Sequence, residues 1–196
     1  MKSIKIGYYN YNPHLFDYPI ESLSSLSGRC AYILNDDVNY DSCILYLKKK
    51  GIEVKRYKNI EEISDDVCPE IAIVFPPKNI IGVDADSRDE YYRILYHYIK
   101  FAQMMVLKMG EQSSVFHHLI FVYPSGADRY SCKLRNMAYY ALTGLTAGLG
   151  KIYAPKSTII NGLIIGETTE DSQLIEWIEY LVSNNSNNLI GQNIKL

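Results

Sequence analysis

The side chains best placed to do chemistry crowd into one turn: Asn35, Asp36, Asp37, Asn39 and Asp41, within "CAYILNDDVNYDSCILYLKKKGIEV" at positions 30–54. Three carboxylates and two carboxamides this close together can cap a helix, or hold a hard cation such as Mg²⁺. The turn follows an apolar strand and precedes a helix. In α/β units that is where a nucleotide's phosphates sit, with glycines letting backbone N–H groups approach them. This chain has no glycine between Gly28 and Gly51. A carboxylate ~4 Å from a phosphate costs about 4 kcal/mol at an effective dielectric of about 20. A helix dipole returns only about 0.3–1 kcal/mol. The turn therefore reads as a capped, solvated helix start, and no cofactor is expected there. Cys30, Cys43, Cys68 and Cys132 form no CxxC pair and have no His-rich tract beside them, so neither a zinc site nor a disulfide framework is expected.

Around that turn the sequence alternates strand and helix patterns. Cys30–Leu34, Glu53–Tyr57, Glu70–Phe75, Phe116–Tyr123, Thr158–Ile165 and Leu189–Leu196 read as strands, several of them unbroken Ile/Val/Leu runs. Ser42–Lys50, Asp86–Met109, Leu134–Tyr153 and Asp171–Val182 read as helices, and Asn59–Ile63 as a brief helical turn. Strands of that composition alternating with helices predict an α/β fold, a doubly wound parallel sheet covered on both faces. Residues 1–27 are an N-terminal extension in which only Ser3–Tyr9 has a strand pattern, and residues 28–196 form a single domain. A net charge of −2 and a pI near 6.1 give no basis for a nucleic-acid partner or an anionic membrane surface. With no long apolar segment and no signal-like N-terminus, a cytoplasmic protein is expected.

Five segments, in order, resemble the short-chain dehydrogenase/reductase family: "SGRCAYIL", "GIEV", "SSVFHHLIFVYPSG", "LTGLTAGLGKIYAPKSTIINGLIIGE" and "LVSNNSNNLIGQNIKL". The likeness is densest after Gly144, with a ketoreductase-like cast. It implies a Rossmann-like domain, and in the family a hydride passes between NAD or NADP and a carbonyl or alcohol. A serine, a tyrosine and a lysine do that work, the last two spaced YxxxK on one helix. In register with Gly144 the tyrosine falls on Arg135 and the lysine on Tyr139. Arginine is always protonated and cannot cycle as an acid/base. Only Ser125 keeps its place, as a vestige. A rival register would use Ser125 with Tyr130 and Lys133, and would imply an NAD(P)-dependent 3-oxoacyl reductase-like enzyme with a rearranged site. The family's substrate lid is trimmed to Glu167–Glu170, and the stretch between Tyr57 and Glu70 is short as well.

What the chain keeps are interface-like helices. Asn136–Gly150 carries no charge, Gly144 and Gly148 lie one turn apart, and the preceding helix is rich in tyrosine and methionine. By resemblance these helices and the last strand form subunit contacts, with Tyr92, Tyr96, Met105, Tyr139, Tyr140, Gly144, Gly148 and Ile194 as the expected interface. The expectation is a catalytically inactive structural or regulatory subunit. It would pair with itself, or in a heteromer with an active short-chain reductase. A small-molecule binding module is the remaining alternative.

Overall fold

Apolar runs become strands and amphipathic runs become helices where the spacing places them. The structure, a computed structural model, describes residues 8–10, 26–35, 37–63, 68–76, 88–110, 116–125, 133–166, 168–183, 186 and 188–196. The strands are β1 (Tyr8–Asn10), β2 (Cys30–Leu34), β3 (Glu53–Tyr57), β4 (Ile71–Val74), β5 (His117–Pro124), β6 (Thr158–Ile165) and β7 (Asn193–Lys195). The helices are α1 (Asp41–Lys49), α2 (Arg88–Gly110), α3 (Lys133–Tyr153) and α4 (Asp171–Val182). All strands pair in parallel, in the order β1-β7-β6-β5-β4-β2-β3. Strand order reverses at β2, which has β3 on one side and β4 on the other, so the switch-point crevice opens above its C-terminal end. A doubly wound half normally carries one more strand beyond β3. Here the described residues linking β3 to β4 contain only a 3₁₀ turn at Ile60–Glu62, and β3 is an edge.

Strand side chains alternate between two cores. Leu119, Phe121 and Tyr123 of β5 meet Tyr98, Phe101 and Met105 of α2 and Leu142 of α3. Ile120 and Val122 face Ile44 and Leu47 of α1 and Trp177 and Ile178 of α4. At the N-terminal end of the sheet Arg29 is the tie. Its Nε donates to Glu70 at 2.7 Å, and its terminal nitrogens donate to the Val182 and Phe116 carbonyls at 2.9 and 3.1 Å. His118, 1% exposed, lies close by. Burial, then the positive charge of Arg29, then His117, push its pKa down to about 3, while the Leu181 backbone acts the other way.

Three of the expected interface residues are buried within the chain by this packing. Met105 and Tyr139 point into the α2/α3 core, on the faces of Phe101–Met109 and Ala138–Leu142 that meet the sheet, and Ile194 lies in the α1/α4 core. The extension also contributes to the domain: β1 joins the sheet beside β7, and Leu26 is 1% exposed. The last strand is shorter than its apolar pattern, because Gly191 turns the chain at φ 66° against the Ala147 carbonyl before β7 begins.

Candidate functional site

The switch-point crevice is where an open α/β sheet binds ligands, and the turn leaving β2 decides what it can hold. β2 ends as Asn35 donates its backbone N–H to the Tyr57 carbonyl at 2.9 Å. The Asn35 side chain folds back, its Oδ1 accepting the Asp37 N–H at 2.7 Å. Asp37 repeats the device, its carboxylate accepting the backbone and side-chain N–H groups of Asn39 at 3.0 and 3.2 Å. The Asp41 N–H goes to the Val38 carbonyl. Alternate amides of the turn, those of Asp37, Asn39 and Asp41, are thus taken by its own oxygens. Asn35 Nδ2 is buried without a hydrogen-bond partner.

Arg56, on the neighbouring β3, locks this arrangement. Its Nε donates to the Asn35 carbonyl at 3.1 Å, one terminal nitrogen to Asp41 Oδ1 at 2.7 Å and the other to the Asp37 carbonyl at 3.3 Å. Tyr40, at the end of the turn, is buried. Its ring stacks on Phe75, at the end of β4, with centroids 4.5 Å apart and planes 24° from parallel. Only 6% of Tyr40 is exposed, and burial, reinforced by the charge of Asp37, raises its hydroxyl pKa. Ser42 Oγ donates to Asp171 at 2.6 Å, tying the start of α1 to the start of α4.

The remaining sequence-derived residues scatter. Ser125 is half-buried, with its N–H on the Ile165 carbonyl at 2.8 Å. Lys133 begins α3; Asp36 and Tyr130 lie outside the described residues. Tyr139 packs on Tyr123 with centroids 6.1 Å apart, inside the core. After β6, Thr169 Oγ1 accepts the Gly166 N–H at 2.8 Å and α4 starts at Asp171. Among the described residues no three His, Cys, Asp or Glu side chains group as metal ligands, and no helix is long and apolar enough to cross a membrane. Arg56 and the Tyr40–Phe75 stack carry no local signature, since each depends on which strands are neighbours.

Solved structures give the architecture its name. A short-chain dehydrogenase/reductase from Serratia marcescens superposes with a TM-score of 0.64 at 15% identity, over 87% of this chain and 96% of that one. A short-chain dehydrogenase from Leptospira borgpetersenii with bound NAD⁺ gives 0.68 at 12% identity, over 89% and 94%. A 4-hydroxyisoleucine dehydrogenase complexed with NADH and succinate gives 0.67 at 15% identity, over 84% and 96%. The fold is that of the short-chain dehydrogenase/reductases. No family model matches the sequence, and no curated protein does. On this short-chain dehydrogenase/reductase fold the outer face of the two long helices exposes large apolar side chains. Tyr92 and Tyr96 of α2 are 51% and 56% exposed, and Met137, Tyr140 and Ile152 of α3 are 53%, 63% and 62% exposed. A Cβ added at Gly144 or Gly148, on the same face of α3, would meet nothing within 4 Å.

Proposed function

We propose that this chain is a catalytically inactive scaffold on the short-chain dehydrogenase/reductase fold, binding neither NAD nor NADP. It serves as a structural or regulatory subunit in the cytoplasm. The observation that carries the reading is the turn after β2, where the Asp37 and Asn39 amides go to the side chains of Asn35 and Asp37 and the Asn35 and Asp37 carbonyls are held by Arg56. A dinucleotide's diphosphate needs those amides free, a glycine backbone beneath it and no carboxylate beside it; the residues present do not fit it. Tyr40, buried against Phe75 at the end of β4, adds a bulky ring beside the strand ends such a ligand would approach.

The exposed aromatic and small-residue face of α2 and α3 supports pairing, either with a second copy or with an active short-chain reductase. Calorimetric titration with NADH and NADPH tests the first half: no heat and no carbonyl-dependent oxidation of either is expected. Binding with turnover would replace this reading with the rearranged reductase built on Ser125, Tyr130 and Lys133. Gly144→Glu tests the second half, because a charge on that face should dissociate the oligomer or release the reductase partner.

One observation favours a small-molecule module instead: an open cavity of about 200 Å³ between Lys58–Glu61 and α2, lined by Arg93, Tyr96 and His97. Its volume falls below the roughly 300–1,000 Å³ of ordinary ligand pockets, which keeps the scaffold reading first.

A further inference from the structure

We infer that the β3 edge of the sheet docks the β3 edge of a second copy of this chain, antiparallel, about a two-fold axis through Val54. This contact uses neither the turn after β2 nor the outer face of α2 and α3. β3 has β2 along one side, in unbroken register from Cys30–Glu53 to Leu34–Tyr57, and among the described residues no strand along the other. A doubly wound half normally ends one strand further out, so an edge that such a fold covers is open here. The five-residue run has neither a proline nor a bulge to blunt it.

Backbone direction decides which groups this edge offers. The Glu53 N–H donates to the Arg29 carbonyl at 2.8 Å, and the Tyr57 carbonyl accepts the Asn35 N–H at 2.9 Å. Glu53, Lys55 and Tyr57 therefore turn their amides and carbonyls to β2, while Val54 and Arg56 turn theirs outward. A partner strand can bond only where outward residues meet outward residues.

Charge separates the two-fold registers that satisfy this rule. Centring the pair on Glu53, Lys55 or Arg56 sets like charges face to face, and centring it on Tyr57 sets Arg56 against Lys58. Centring it on Val54 does neither. Val54 then exchanges both backbone hydrogen bonds with its copy, and Glu53 faces Lys55 twice. Those two opposite-charge pairs fall where facing strands come closest, with Cα atoms about 4.5 Å apart. Glu53 is exposed, and Lys55, whose Nζ lies 5.7 Å from the Tyr32 ring centroid, has a flexible stem that can swing to it. The Arg56 side chain is held on its own chain by Asn35, Asp37 and Asp41. A closed two-fold contact of this kind stops at one added copy.

The test is a charge swap on the full chain, read by sedimentation, with Trp177 fluorescence to show that each variant is folded. Glu53→Lys and Lys55→Glu each put one sign of charge at both positions. Each should fall to about half the mass of the unsubstituted chain or less at equal concentration. Mixing the two variants should restore the mass, as should both substitutions in one chain. Single variants that keep the full mass, or a mixture that fails to recover it, overturn the inference. So does an unsubstituted chain that sediments as a single copy. Amide hydrogen exchange adds a readout that pairing through α2 and α3 would not move. The Val54 amide should exchange about tenfold or more slowly in concentrated than in dilute protein, while the Lys55 amide, already held by β2, changes little. A Val54 amide indifferent to concentration would also overturn the contact. Binding of NADH would sink the scaffold reading and leave each of these outcomes as it stands.

Discussion

His118 turns the foot of the sheet into a pH-dependent joint whose size can be worked out. Its ring is enclosed between β5 and α4 beside Arg29, and its pKa falls from an ordinary 6.5 to about 3. A depressed histidine pKa means that the folded protein keeps the ring neutral while the unfolded chain takes up a proton. Stability is therefore complete above pH 6.5 and is lost as the pH falls towards 3. Between pH 7 and pH 5 the unfolded state gains most of one proton that the folded state does not, which amounts to about 2 kcal/mol. Most carboxylates stay ionised over that interval. The assay is urea unfolding at pH 7, 6 and 5 for the natural chain and for His118→Leu, a side chain of similar volume that cannot titrate. The natural chain should lose about 2 kcal/mol across the interval, and the variant less than about 0.5 kcal/mol. Parallel losses in the two proteins would refute the assignment, and with it the claim that the ring is neutral beside Arg29.

Other expectations follow from local geometry. Gly150→Ala should destabilise by about 1–3 kcal/mol in urea unfolding, because its Cβ would lie 2.5 Å from Gly191 Cα and 2.6 Å from Gly191 N. Gly148→Ala, with open space around the new methyl, should instead raise the stability of the dissociated chain by about 0.5–1 kcal/mol through helix propensity. Arg56→Met should cost about 1–2 kcal/mol, since it strands the Asn35 and Asp37 carbonyls and the Asp41 carboxylate. The Cys43 thiol, whose pKa burial pushes up to about 12, should resist iodoacetamide at pH 8 in the folded protein and react in urea, as read by peptide mass spectrometry.

The parts of the fold that the sequence discloses are those set by short-range pattern. Cys30–Leu34, Glu53–Tyr57, Thr158–Ile165 and Asp171–Val182 have the same bounds in the structure as in their apolar periodicity. Helix phase is another matter. α3 is apolar nearly all round, so composition does not tell the buried Tyr139 from the exposed Tyr140; only docking on the sheet does. The same holds for Met105 on α2. At the turn, Asp37 caps as its residue type predicts, whereas Arg56 reaches it from a strand whose neighbour is fixed by topology. Leu189–Gln192 looks like strand and is instead spent on the bend that brings Gly191 against Ala147.

The place of β1 in the sheet sets a schedule for the growing chain. Tyr8–Asn10 are made early, but their partner Asn193–Lys195 comes nearly a whole domain later. At about 5–20 residues per second the wait on the ribosome is roughly 10–40 s. A long apolar strand left unpaired for that time would be open to capture by neighbouring nascent chains. A three-residue strand, with Pro13 soon after it in the sequence, offers little to capture. The brevity of β1 thus protects it while the protein is being made.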